Sequence, residues 1–213
     1  KTVTVYPQPN PSFKINTKEQ CLLNNSFEFA NTTNVTGAPI FGFDWKFGNG
    51  TGSSNINPTK SYPSAGTYTV QLKATTFYGC ADSVTQQVIV DTMPVVTINT
   101  PAGTDICAGG TLNLTSTGGL SYQWYNNTVL IPSQNASTLV ANAGGTYNVV
   151  AMNSMGCYSQ NQVKAVINTL TKPKADFSYT TYCIQVPVAF TNRSTTSTSG
   201  IVNYVWTDGQ GNT

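Results

Sequence analysis

Gly66-Thr-Tyr-Thr-Val-Gln-Leu-Lys-Ala74 alternates apolar and polar residues. Tyr68, Val70, Leu72 and Ala74 share one face, and Thr67, Thr69, Gln71 and Lys73 share the other. Side chains of a strand point to opposite faces with period two, so this stretch is a half-buried β-strand. Outward from it, similar short runs occur at 26–31, 40–47, 95–99, 111–116, 121–125, 146–151, 162–167, 186–191 and 202–206. Turn clusters separate them, among them Gly48-Asn-Gly-Thr-Gly52, Thr117-Gly-Gly119 and Ala143-Gly-Gly145. No i, i+3, i+4, i+7 stripe lasts three turns. The fold class expected is all-β, as tandem β-sandwich domains arranged end to end.

Composition narrows the chemistry. The chain has 213 residues, 39% hydrophobic and 11% aromatic, enough to build a core. Only 8% are charged, against roughly 25% in an ordinary domain. The polar surface comes instead from 33 Thr and 22 Asn. There is no His, which excludes a Ser-His-Asp triad, a Cys-His pair and imidazole metal ligands. Ten Lys and Arg and a net charge of +2 make no stripe that could follow a nucleic-acid backbone. No apolar run is long enough to span a membrane, and the start has no apolar segment of a signal peptide. The stretch Gly209-Gln-Gly-Asn-Thr213 reads as a chain cut from something longer.

The cysteines expose an internal repeat. Cys21, Cys107 and Cys183 each precede an alternating strand, and Trp45, Trp124 and Trp206 follow in turn. Gly66-Thr-Tyr68 matches Gly145-Thr-Tyr147, at the same distance after the Trp. Tyr78-Gly-Cys80 matches Met155-Gly-Cys157, each ahead of a closing strand. The order occurs twice complete and starts a third time. Prolines in Asp91-Thr-Met-Pro94 and Thr171-Lys-Pro173 mark the joints. Three domains are therefore expected: 1–91, 92–171 and the front half of another over 172–213. Short joints of this kind predict a semi-rigid rod. The repeat also suggests one bridge per domain, Cys21–Cys80 and Cys107–Cys157, with Cys183 left for a partner beyond residue 213; five unpaired thiols are the alternative. Such bridges predict an oxidising compartment, the cell surface or beyond.

Phe43-Asp-Trp-Lys-Phe-Gly-Asn-Gly-Thr51, Asn57-Pro-Thr-Lys-Ser-Tyr62 and Gly66-Thr-Tyr-Thr-Val70 together resemble the PKD domain over residues 8–91. Asn49 and Lys60 depart from that pattern, where Asp and His are common. Residues 172–213, with Trp206-Thr-Asp-Gly, resemble the front half of another copy. Residues 92–170, with Tyr122-Gln-Trp-Tyr125, resemble an immunoglobulin-like relative. Arrays of such Thr- and Asn-rich domains are similar to large secreted surface adhesins of Bacteroidetes, including gliding-motility adhesins and cargo of type 9 secretion. The resemblance implies non-catalytic repeat modules in the extended stalk of a cell-surface adhesin. Their expected partners are neighbouring repeats of the same chain, with a surface polysaccharide or substratum at a distance. Two alternatives stay open: carbohydrate-binding accessory modules of a secreted polysaccharide-degrading enzyme, and the subunit of an extracellular filament.

Candidate sites are sparse. Glu19, Glu28, Asp44, Asp82, Asp91, Asp105, Asp176 and Asp208 are scattered, with no spacing that suggests a catalytic pair. No cofactor is expected. Calcium is conceivable only where Asp91 and Asp105 flank a joint, as in some PKD-type linkers. Asp82-Ser-Val84 and Asp91-Thr-Met93 resemble the Bacteroidetes O-glycosylation motif, which would place sugar on Ser83 and Thr92. Tyr6, Tyr62, Tyr125 and Tyr158 are candidates for stacking on sugar rings. Trp45, Trp124, Trp206, Tyr68 and Tyr147 are expected in the core, the two tyrosines with their hydroxyls on backbone acceptors.

Overall fold

The computed structural model describes residues 2–101, 104–161, 163–180, 183–184, 186–196, 200–208 and 210. Gln162, inside one expected strand, and Gly209 and residues 211–213 at the chain's end lie outside that set. Among the described residues every regular element is a strand.

The first compact unit comprises Lys1–Val95 together with Gly118–Leu120 and Ala151–Gln160. Its strands are β1 (Phe13–Ile15), β2 (Glu19–Cys21), β3 (Phe27–Asn31), β4 (Ile40–Lys46), β5 (Gly52–Ser53), β6 (Thr59–Lys60), β7 (Gly66–Thr76) and β8 (Ala81–Asp91). They form two sheets, β1-β3-β6 and β2-β8-β7-β4-β5. The alternation of 66–74 is the reason the sheets face each other. Val70, Leu72 and Ala74 of β7 are fully buried, as are Val88 and Val90 of β8. Phe13, Phe27 and Phe29 meet them from the facing sheet, and Trp45 of β4 joins the core from the same sheet, beside Leu72. Trp45 lies 5.0 Å from Phe13 and 5.6 Å from Phe29 between ring centroids, and its Nε1–H donates to the Asn55 carbonyl at 2.9 Å. The turn after β4 depends on Gly48, whose φ is +77°. A Cβ there would stand 2.7 Å from the Thr69 carbonyl oxygen, so no other residue fits without moving β7.

The second unit contains Val96–Thr117, Ser121–Val150 and Asn161–Thr213. The strands of the second repeat are β9 (Thr97–Asn99), β10 (Asp105–Cys107), β11 (Leu112–Thr117), β12 (Ser121–Asn126), β13 (Val129–Leu130), β14 (Thr138–Ala141), β15 (Gly145–Met152) and β16 (Lys164–Leu170). The last two residues of β15 belong to the first unit. Its sheets run β14-β11-β9 and β10-β16-β15-β12-β13. Strand for strand this is the order of the first repeat, so the less typical second copy has the same topology. Trp124 is fully buried and donates from Nε1 to the Ala136 carbonyl at 2.9 Å, as Trp45 does to Asn55. Tyr68 and Tyr147 donate their hydroxyls to Ser64 and Ala143, each four residues upstream.

The third repeat begins with β17 (Phe177–Tyr179) and β18 (Phe190–Asn192), paired Phe177 to Asn192. This copies the pairing of Phe13 with Asn31. Phe177, Phe190 and Trp206 form the same aromatic triad as Phe13, Phe29 and Trp45, with centroids 5.7–6.1 Å apart. Unlike the first triad, all three rings are only about half buried, so Trp206 does not sit in a closed core as the repeat led one to expect. The strand expected over 186–191 is shorter, and none forms over 202–206.

The expected disulfides are not made. Cys21 bonds Cys157, with Cα atoms 5.5 Å apart and a sequence separation of 136. Cys80, Cys107 and Cys183 are free. Strand direction explains why Cys21–Cys80 fails. Cys21 pairs in parallel with Asp91, at the end of β8, whereas Cys80 immediately precedes its start. Eleven residues of β8 separate the two positions, about 36 Å at ~3.3 Å per residue, while a bridge needs Cα atoms within roughly 7 Å. Cys107 is likewise in register with Leu170, the last residue of β16, and Cys157 lies before that strand begins.

Candidate functional site

The feature that gathers the most chemistry is the clasp around the Cys21–Cys157 bond, all of it within the first unit. Its floor is the end of β8. The parallel pairing of β2 places Cys21 beside Asp91, and the Leu22 amide donates to the Asp91 carbonyl at 2.9 Å. The following loop is held from inside by Asn25, which is buried. Asn25 donates from Nδ2 to the carbonyls of Leu22 and Tyr62 and accepts the Tyr62 amide on Oδ1, all within 2.8 Å.

The other half of the clasp is the hairpin turn around Cys157. Asn153 organises it. Its Oδ1 accepts the amides of Met155 and Cys157 at 3.0 and 2.9 Å. Its Nδ2 donates to the Asp91 carboxylate at 2.9 Å and to the Thr92 carbonyl at 3.1 Å. A single amide side chain therefore shapes the turn and fastens it beside Cys21. Sequence reasoning passed over Asn153; its signal is faint, an Asn three residues ahead of Gly156-Cys157.

Next to the clasp, Tyr62 fills the core end of the same loop, with only 2% of its surface exposed. Its hydroxyl donates to the Phe47 carbonyl at 2.8 Å, and its ring stacks on Tyr68 at 3.9 Å. Tyr62 is therefore no platform for sugar. Burial, reinforced by the Tyr68 hydroxyl, pushes its pKa up to about 12. The unfolded chain ionises this group near the ordinary tyrosine value of about 10. Between those two values only the unfolded state loses the proton, so stability falls as pH rises from about 10 to about 12. Tyr62→Phe is expected to remove that part of the decline, read as denaturation midpoints of parent and variant across this window. Parallel profiles for the two proteins would contradict the assignment.

The other sequence-derived candidates are dispersed. Tyr6 and Tyr158 are partly exposed and Tyr125 is half-buried. Ser83 and Thr92 are both exposed, and each donates its amide to Oδ1 of the Asp before it. Asp91 is engaged by Thr92 and Asn153, and Asp105 accepts from Asn168 at 2.8 Å. Among the described residues no three His, Cys, Asp or Glu converge as a metal site would require. A groove of about 260 Å³ lies in the third repeat, against Phe177, Tyr204 and Trp206. Among the described residues Asp176 is the one carboxylate lining it.

Comparison with known proteins agrees with the fold. Residues 8–91 match the model of the PKD domain family. The PKD1 domain of Vibrio anguillarum Epp is 29% identical, covering 40% of this chain and 95% of its own, with a TM-score of 0.36. The PKD1 domain of the Vibrio cholerae metalloprotease PrtV is 31% identical, covering 41% of this chain and 99% of its own, with a TM-score of 0.33. A structure of a 1.5-MDa bacterial ice-binding adhesin is 12% identical, covering 81% of this chain and 68% of its own, with a TM-score of 0.46. No curated protein matches the chain.

Proposed function

With residues 8–91 a member of the PKD domain family, we propose that the chain is a run of non-catalytic spacer modules in the stalk of a secreted or surface-exposed adhesin. The observation that carries this reading is the Cys21–Cys157 bond. It closes a span that contains nearly the whole first sandwich and most of the second repeat. A bond of that span suits a protein that transmits load, because the residues inside it cannot be drawn out while the sulfurs stay joined. It also suits an oxidising location outside the cell. The low charge and the Thr- and Asn-rich surface fit a spacer that avoids attracting its neighbours. No helix among the described residues is long and apolar enough to cross a membrane. Ser83 and Thr92, exposed in Asp-Ser and Asp-Thr pairs, are the positions proposed for O-linked sugar.

Force spectroscopy on the chain held at its two ends tests the load-bearing reading. The 136-residue span hides roughly 490 Å of contour length, at ~3.6 Å per residue. Unfolding without reductant is expected to release that much less length than unfolding with it. Equal lengths in the two conditions overturn the reading. A glycan array on the same chain is expected to show no retention. Binding that disappears on replacing Tyr6 or Tyr158 would instead make these carbohydrate-binding modules.

A further inference from the structure

The Cys80 turn has the geometry of the Cys157 turn. In one, the Thr76 amide donates to the Cys80 carbonyl and the Gly79 amide to Thr76, at 2.8 and 3.0 Å. In the other, Asn153 donates to Cys157 and Gly156 to Asn153, at 3.1 and 3.2 Å. Gly79 and Gly156 hold φ values of +84° and +81°. The loops of Cys21 and Cys107 match in the same way. Each pairs in parallel with the last residue of its closing strand, and the next amide, Leu22 or Ala108, donates to that residue's carbonyl at 2.9 or 2.8 Å. The chain thus holds two kinds of cysteine: first-loop ones, Cys21, Cys107 and by sequence Cys183, and turn ones, Cys80 and Cys157. The bond present joins a first-loop cysteine to the turn cysteine of the following repeat.

The free Cys80 turn carries a second feature. Around it lies an exposed aromatic patch. Tyr6 stacks on Tyr78 at 3.8 Å, Phe77 meets Tyr78 at 6.1 Å and Phe41 at 6.5 Å. Phe41 and Phe77 are 74% and 70% exposed. Large rings left in water beside a free thiol mark a surface that is covered in its working state.

We infer that the Cys80 turn and its aromatic patch are a covalent docking site for the first-loop cysteine of a second copy of this module. The same rule leaves Cys107 and Cys183 as the complementary ends, so one bond type joins every module to the next. The inference holds whether or not the array serves as an adhesin stalk. The chemistry is thiol–disulfide exchange with a small disulfide such as oxidised glutathione. The Cys80 thiolate attacks it, forms a mixed disulfide and expels one glutathione thiolate. A first-loop thiolate of the second copy then attacks the Cys80 sulfur and expels the other. Two protein thiols are oxidised, one glutathione disulfide is reduced to two glutathiones, and the two thiol protons end on the two glutathione thiolates expelled.

The test is to hold the full chain at about 1 mM, the effective concentration a short linker provides, in a buffer of reduced and oxidised glutathione. Disulfide-linked peptides are then mapped by mass spectrometry. Cys80 joined to Cys107 or Cys183 of a second copy is expected in about tenfold excess over Cys80–Cys80 and over bonds among the first-loop cysteines. Phe77→Ser with Tyr78→Ser, which alters only exposed rings, is expected to reduce that excess to the share random pairing gives. A random mixture from the parent chain, absence of linked copies, or Cys80 bonded to Cys21 of its own chain each overturns the inference.

Discussion

Replacing Cys21 and Cys157 together by alanine is expected to lower the unfolding free energy by about 5 kcal/mol, the chain-entropy value for a loop of more than 100 residues. The loss is large because the 136-residue closure restricts most of the unfolded chain. The hydrogen bonds of Asn153 to Asp91 and Thr92 stay possible without the sulfurs, but they no longer act on a tethered segment. Denaturant titration without reductant measures the effect. Cys80→Ser is the control, since Cys80 forms no disulfide and a serine hydroxyl can still donate to the Tyr6 carbonyl that its Sγ meets, and a change within about 0.5 kcal/mol is expected there. If the alanine pair unfolds at the parent's midpoint, or if Cys80→Ser falls as far as the pair, the observed pairing is wrong.

Trp45→Ala is expected to cost about 4 kcal/mol, the middle of the range for emptying an aromatic site in a packed core. The ring is fully buried and makes two close aromatic contacts in the centre of the first sandwich. Its loss also strands the Asn55 carbonyl without the Nε1–H donor. A domain whose total stability is on the order of 5–15 kcal/mol then has little left. Near-ultraviolet circular dichroism and the thermal midpoint report it. Phe41→Ala, on the exposed patch, should shift stability by no more than about 0.5 kcal/mol. Comparable losses at the two positions would mean that Trp45 is not the centre of the core.

Much of the fold was legible in the residues. The alternation at 66–74 placed Val70 and Leu72 inward, and they are buried. The repeated Trp and Gly-Thr-Tyr positions predicted two ring-filled cores with tyrosine hydroxyls on nearby carbonyls, and both occur. These features depend on local period and on residue size, which a sequence displays directly. Tyr62 was misread as a surface ring because nothing local distinguishes it from an exposed tyrosine. It is buried because Asn25, 37 residues away, draws its backbone inward.

The sulfur pairing was illegible for a related reason. Recurrence in register shows that two cysteines play matching roles, but not that they meet. An eleven-residue strand lies between the turn of Cys80 and the position beside Cys21, and a linear reading does not show which end of that strand a parallel neighbour joins. The amino-acid order alone therefore determined the all-β sandwich class, its repetition and the burial of Trp45 and Trp124, since each follows from short-range patterning. Only the folded chain decided which cysteines bond, because that depends on strand direction and on Ala151–Gln160 packing with the first sandwich, distances set by the assembled sheets and not by spacing along the chain.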